Sequence, residues 1–299
     1  MKSQRIAVAG GTGKFGRHIV EEEISYAGSS APIVTVDYQD QGSIRKVLNE
    51  YQIDTIISTI ASVDTPEGFI GAQESLLRAG LSVPTFRRFA PSEFAVDSEQ
   101  VKGVKLYQTK LPILRSLEEV KAERGDSFEY SRFNCGIFMN YLGFGNTKPE
   151  GHKAFGHLAH FPYMIDLSKQ KADVPGDGEK EIVYTRVEDV GKFVAAATQL
   201  EVWEKYNDMA GEVMTINQVI RICEEIRGAK FDVKYNTRED IVAKMSPNSD
   251  IATLMANFQW EFYLAYIDGD CDIKRPINLN KLVDVKPMGV REFLEQWWT

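Results

Sequence analysis

Three cysteines are all this chain of 299 residues contains, and Cys135, Cys223 and Cys271 are far apart and form no C-x-x-C pair. That argues against a disulfide framework and against a thiolate zinc site. Nowhere do about 18 apolar residues run together, as a membrane span requires. The apolar run in the opening MKSQRIAVAGG meets glycines too soon for a secretory signal. The expected location is therefore cytoplasmic. Basic charge is also short: 35 Lys and Arg against 43 Asp and Glu give a net charge of −8. Nucleic-acid binding needs a basic stripe, and none is visible. Repeats and low-complexity linkers are missing too. What is present is 43% hydrophobic and 26% charged residues, the balance of a globular protein with ample material for a buried core.

Along the chain, strand and helix patterns alternate. RIAVA (residues 5–9) is a short apolar run before glycines, suited to a buried parallel strand. FGRHIVEEEISYA then reads as a helix with Phe15, Ile19, Val20 and Ile24 near one face, stopped at Gly28. Further strands are expected at 33–36, 54–60, 85–90 and 128–133. Helices are expected at 43–51, 68–79 and 105–124, the last broken or kinked at Pro112. This alternation predicts an α/β fold with a doubly wound parallel sheet. Beyond residue 140 the pattern loosens. A turn at Asp177-Gly178 is flanked by short strands, helices are expected at 187–200, 217–228 and 289–299, and 252–266 is apolar and aromatic. The expected division is a dinucleotide-binding Rossmann domain at 1–140 and a smaller substrate lobe at 141–299, partly interleaved with it.

GGTGKFG carries G-x-x-G-x-x-G at Gly10, Gly13 and Gly16, between a predicted strand and a predicted helix. Glycines allow the tight turn and let the backbone approach a pyrophosphate, and the helix N-terminus supplies N–H donors and a positive dipole end. The loop, including Thr12, Lys14 and Phe15, is thus the candidate cofactor site, with an ordinary strand-to-helix turn as the alternative.

VAGGTGKFGRHIV, STIAS, RRFAPSEF and the helix bearing Lys110, taken in order, resemble the NmrA-like, isoflavone-reductase-like branch of the atypical short-chain dehydrogenases/reductases. VPGDGEKEIVYTRVEDVGKFVAAAT and DVKPMGVREFLEQW extend the resemblance over most of the chain. It implies an NAD(P)H-dependent reductase of small, often aromatic or conjugated, secondary metabolites, with NADP(H) favoured over NAD(H). It implies Lys110 as the catalytic acid/base, since a lysine near a nicotinamide can protonate a developing oxyanion or remove a phenolic proton. A solvated helix lysine is the plain alternative. The resemblance also brings Thr59, Ile60 and Ser92 towards the cofactor. Glu93 and Phe94 lie just past the end of a strand, where open sheets bind ligands. Tyr107 shares a helix face with Lys110. Phe133, Asn134 and Cys135, at the end of the next strand, are expected to wall the substrate pocket.

PIVTVDYQD (32–40) admits two readings. Asp37 lies 21 residues after Gly16, the usual distance to a Rossmann acid that binds ribose hydroxyls. The resemblance instead makes DYQD the lead into a later helix and strand, with its acid at the adenine end of the cofactor. On this second reading, which is favoured, the second strand-helix unit of the family is missing, and with it any basic 2′-phosphate clamp. Arg17 is the nearest basic candidate. Because a sheet should not leave a vacant lane, residues 33–36 are expected to slide beside the first strand.

His152, His157 and His160 invite a metal reading, but no acid or cysteine completes a shell, so no metal is expected. FQWEFYLAY (258–266) caps a hydrophobic pocket or fills the lobe core. Glu21, Glu22 and Glu23 read as a solvated helix face. Expected partners are a small-molecule substrate, with neither nucleic acid nor membrane, in a monomer or homodimer. The rival function is a non-catalytic nucleotide-sensing regulator or a shortened inactive member of the family.

Overall fold

A computed structural model describes residues 2–28, 30–61, 65–161, 163–247 and 250–299. Four short strands, β1 (Ile6–Ala9), β2 (Thr55–Ser58), β3 (Arg88–Ala90) and β4 (Glu129–Tyr130), form a parallel sheet in that order. Helices α1 (Gly16–Ala27), α2 (Gln41–Glu50), α3 (Pro66–Leu81), α4 (Lys105–Gln108), α5 (Leu111–Arg124) and α6 (Val187–Thr198) accompany it. Side chains alternate across the sheet. Ile56 and Phe89 meet Ile44, Leu76 and Leu117 from α2, α3 and α5. Ile57 and Ala90 meet Ile19 of α1 and Val190, Phe193 and Val194 of α6. Both faces are covered, which is why β2 can be wholly buried. This is an α/β sheet of Rossmann type.

The remaining strands are β5 (Ile137–Phe138), β6 (Ile165–Asp166), β7 (Lys171–Pro175), β8 (Glu181–Thr185), β9 (Glu212–Thr215) and β10 (Asp232–Asn236). They form two three-stranded sheets, ordered β10-β7-β6 and β5-β8-β9. The Asp177-Gly178 turn is therefore flanked by strands, but β7 and β8 part into different sheets and make no hairpin. Helices α7 (Ile216–Arg227), α8 (Arg238–Val242), α9 (Ile251–Ile267), α10 (Leu279–Leu282) and α11 (Val290–Trp298) complete the chain. Among the described residues no helix is long and apolar enough to cross a membrane.

Two expectations are corrected. Residues 33–36 form no strand: Ile33 is 82% exposed, and the stretch pairs with nothing. Ala9 accepts from Thr59 N–H on the β2 side, so by alternation Ile6, Val8 and Gly10 face the outer edge of β1. Among the described residues no strand pairs with that edge. Since α1 lies on one face and α2 on the other, the chain between them passes round it. Tyr38 supplies the substitute contact. Its hydroxyl accepts the Gly10 N–H at 3.0 Å, holding the backbone a side chain's length away rather than at the ~4.8 Å of a paired strand. The lane stays vacant because a side chain, not a strand, satisfies its upper end. The second correction concerns Glu22 and Glu23, which are partly buried where α6 packs on α1 rather than solvated. Burial pushes the Glu23 carboxyl up to about 7.

Candidate functional site

The glycine loop joins β1 to α1. Gly10 adopts φ +77°, open to glycine, and its carbonyl accepts the Gly13 N–H at 2.8 Å. At Gly16 a Cβ would collide with the Gly10 oxygen and lie 2.5 Å from Thr59 Oγ1. The turn therefore tolerates only glycine there, and Thr59 is packed directly beneath it. Thr59 is fixed by its Oγ1 donating to Ala9 O at 2.8 Å. No side chain caps α1, whose N-cap position is Phe15, and the Arg17 and His18 N–H groups of its first turn donate to the carbonyls of Gly13 and Phe15, so what this end offers an anion is chiefly its positive dipole. Thr12, Gly13 and Lys14 are exposed around this end. Arg17 is exposed too, and its Nε donates to the Thr12 carbonyl. These residues fit the pyrophosphate of a dinucleotide.

Asp37 does not continue a strand. It is exposed and accepts the Gln39 N–H at 2.8 Å, while Asp40 caps α2 through the Gly42 N–H. DYQD thus does lead into α2 and then β2. Ile60 follows Thr59 and is half-buried against the layer of α2, and Ser92 is half-buried beyond β3.

Next to the loop lies a cavity of about 190 Å³ with aromatic walls. Phe94, Tyr107, Phe138 and Tyr141 line one part, and Phe161, Tyr163, Phe258, Phe262 and Tyr263 another. Phe15 connects loop and cavity, its ring 4.8 Å from that of Phe94 and 5.4 Å from that of Phe138. Phe94 holds φ +36°, a left-handed backbone uncommon for a bulky residue and typical of functional sites. The run 258–266 does both things expected of it: Phe258, Phe262 and Tyr263 reach the cavity, while Tyr266 is core.

Helix 105–124 is indeed broken. α4 ends at Gln108, α5 starts at Leu111 with Pro112 in its first turn, and Lys110 occupies the N-cap position between them. Its Nζ donates to the Glu93 carbonyl at 2.7 Å and lies 4.4 Å over the Tyr107 ring. Burial lowers its pKa from the ordinary lysine value. The charges of Glu93 and Cys135 oppose that shift and the charge of Arg132 adds to it. The positive end of α5 disfavours the ammonium further. Lys110 is not itself among the lining residues, but its Nζ lies against the ring of Tyr107, which is.

Of the six residues expected in the pocket, Phe94 and Tyr107 line it. Glu93, Phe133, Asn134 and Cys135 are buried away from it. The Glu93 carboxylate accepts from Arg132, and the Asn134 amide donates to Asp208 at 2.7 Å. The Cys135 thiol is buried and pushed well up by burial. Sequence reasoning missed the buried charges behind the site. Arg132 bonds Glu93, Asp97 and Glu99, and Arg275 bonds Asp97 and Asp208. It also missed Phe138, Tyr141, Phe161 and Tyr163, whose only signal was aromatic content in apparent loops.

The three loop histidines do not converge. His157 pairs with Glu21 at 2.8 Å, His160 packs edge-on to Phe144, and His152 is exposed. Among the described residues no group of three or more His, Cys, Asp or Glu is placed to hold a metal.

With this geometry in place, comparison with known proteins is informative. Oxidoreductase BOA1 of Botryotinia fuckeliana (strain B05.10) is 30% identical over 244 residues, covering 76% of this chain and 77% of its own. Phenylcoumaran benzylic ether reductase PT1 of Pinus taeda is 23% identical over 274 residues, 80% of each chain. The solved binary complex of leucoanthocyanidin reductase with NADPH from Vitis vinifera superposes with a TM-score of 0.72 at 20% identity. That superposition covers 98% of this chain and 99% of the other, and it shows a shared fold. A profile of the NmrA-like family matches residues 22–294, nearly the whole chain, and the protein therefore belongs to the NmrA-like family.

Proposed function

We propose that this protein is an NAD(P)H-dependent reductase, with NADP(H) its favoured cofactor, acting on a small aromatic or conjugated secondary metabolite. The observation that carries this reading is the aromatic cavity joined to the glycine loop through Phe15. Relatives named as reductases, and a related fold solved with NADPH, support it. The bound cofactor supplies the hydride. Gly10, Gly13, Gly16 and the positive end of α1 would hold its pyrophosphate, with Thr59 supporting the loop from below. The ring-lined walls exclude water and orient a flat substrate by stacking. The cavity is small beside the ~300–1,000 Å³ usual for ligand sites, which favours a compact ring system. Lys110, with its proton loosened by burial, gives that proton to the developing oxyanion or takes one from a phenol.

Side-by-side titration with NADPH and NADH, followed by nicotinamide fluorescence, tests cofactor binding; tighter binding of NADPH is expected. Lys110→Ala should then reduce turnover of phenolic or enone substrates by ~10²–10⁴-fold, typical of a lost acid/base, with cofactor affinity kept. Turnover that survives intact removes Lys110 from the chemistry. The outer edge of β1, with which no strand among the described residues pairs, favours a second reading, a nucleotide-binding regulator without turnover. Cofactor binding unaccompanied by reduction of any such substrate would select it.

A further inference from the structure

One residue holds Lys110 twice. The peptide oxygen of Glu93 accepts from Nζ at 2.7 Å, and the Glu93 carboxylate oxygen Oε1 stands 3.8 Å from the same nitrogen. The carboxylate is fixed in its turn. Its side chain is 1% exposed and accepts from Arg132 Nη2 at 2.8 Å, Arg132 Nε at 3.2 Å and Ser98 Oγ at 2.9 Å. Arg132, equally buried, continues to Asp97 at 2.5 Å and to Glu99, and Arg275 links Asp97 to Asp208. The groups that face Nζ come from three directions. Glu93 arrives on the loop after β3, the Tyr107 ring on α4, and Cys135 with Arg132 on the segment after β4.

Burial and the end of α5 work against the ammonium, and the Tyr107 face 4.4 Å away offers it only a modest cation–π attraction. A carbonyl orients Nζ but carries no charge. Among the described residues, the one anion within 4 Å of it is the carboxylate of the residue that also supplies that carbonyl. A carboxylate buried this deeply is costly when unpaired; the two bonds from Arg132 offset that cost and fix its direction. The same residue precedes Phe94, whose left-handed backbone turns a ring into the cavity. Position and charge at the site are thus set from one point in the chain.

We propose that Glu93 is a positioning residue for Lys110: its peptide oxygen fixes where the amine points, and its carboxylate, clamped by Arg132, biases that amine towards the protonated form. The proposal rests on the reading of Lys110 as proton donor and acceptor, but its test needs no substrate. Protein labelled with [ε-¹³C]lysine is titrated by NMR, the Lys110 resonance being identified by its absence in Lys110→Arg. Glu93→Gln keeps the peptide oxygen and the side-chain shape and deletes the charge. The Lys110 midpoint is expected to shift to lower pH. Glu93→Asp keeps the charge but withdraws it by one methylene, so its midpoint should fall between the other two. This second variant carries the test if the first does not fold. A midpoint in Glu93→Gln that stays put or rises overturns the proposal, as does an Asp variant outside the interval. If the midpoints move as expected while Lys110→Ala retains full turnover, the positioning stands and the catalytic reading of Lys110 is what fails.

Discussion

Replacing Arg132 by methionine isolates the buried charges behind the site. The arginine side chain is 1% exposed and so is that of Glu93, while Asp97 is 4% exposed. A methionine would fill similar space, but Glu93 would be left with the Ser98 hydroxyl and the lysine, and Asp97 with Arg275 and the Glu99 N–H. Breaking a buried ion pair from one side costs ~3–5 kcal/mol, because the uncompensated charge remains. At roughly 2 °C per kcal/mol for a chain of this size, the melting temperature should drop by ~6–10 °C. The dependence on pH is as informative as the size. Burial alone would raise the Asp97 carboxyl, but Arg132 and Arg275 outweigh it and hold the group below its ordinary 3.8. A depressed folded-state value contributes stability above the ordinary value and loses it as pH falls through the folded one. The gap between native protein and Arg132→Met should therefore be widest at neutral pH and narrow below about pH 4. Differential scanning calorimetry at pH 7 and at acidic pH reads both quantities. A loss below about 1 kcal/mol, the scale of a surface pair, or one that does not change on acidification, refutes the reasoning.

Two further outcomes follow from the packing around α1. Gly16→Ala forces a Cβ against the Gly10 carbonyl and Thr59, so NADPH binding measured by fluorescence should be lost, with a stability cost of ~1–3 kcal/mol from overpacking. Unchanged affinity would remove the loop from the cofactor site. Glu23→Gln deletes a carboxyl raised to about 7 by burial and left with one buried oxygen unpartnered. A raised folded-state value means that ionisation opposes folding increasingly as pH climbs from 4.5 to 7. The variant should gain up to about 3 kcal/mol in urea denaturation at pH 8 and much less at pH 5. Equal effects at both pH values would contradict the burial argument.

The elements legible in the sequence are those governed locally. Glycine spacing between a strand and a helix located the loop, 3.6-residue periodicity found α2, α3, α6 and α7, and Pro112 marked the break that places Lys110 at a helix start. The misreadings arose where tertiary context overrides local preference. Ile33 to Val36 is rich in β-branched residues, yet Tyr38 satisfies the edge in their stead, and residues 33–35 stay exposed while Val36 is half-buried. Arg88 and Arg132 sit in or beside strands with no local signal of burial, and both are fully buried because partners distant in sequence surround them. Arg88 bonds Glu129 at 2.7 Å and the Leu200 carbonyl at 3.0 Å. The cavity draws its rings from segments near residues 94, 107, 138, 161 and 258, and no local pattern announces such a meeting.

The order β1-β2-β3-β4 has a consequence for how the chain is made. Neighbours in this sheet are also successive in the sequence, unlike the 3-2-1-4-5-6 arrangement, in which later strands must go to the far side of the first. Each strand can thus dock on the growing edge as it leaves the ribosome, and the sheet extends in one direction from its N-terminal strand. The layer of α2, α3 and α5 is complete once residue 124 has emerged, whereas α6, which covers Ile57 and Ala90 together with α1, begins only at Val187. While the chain between those two points is being synthesised, one face of the nascent sheet lacks part of its cover, and it is over this interval that a chaperone would find it.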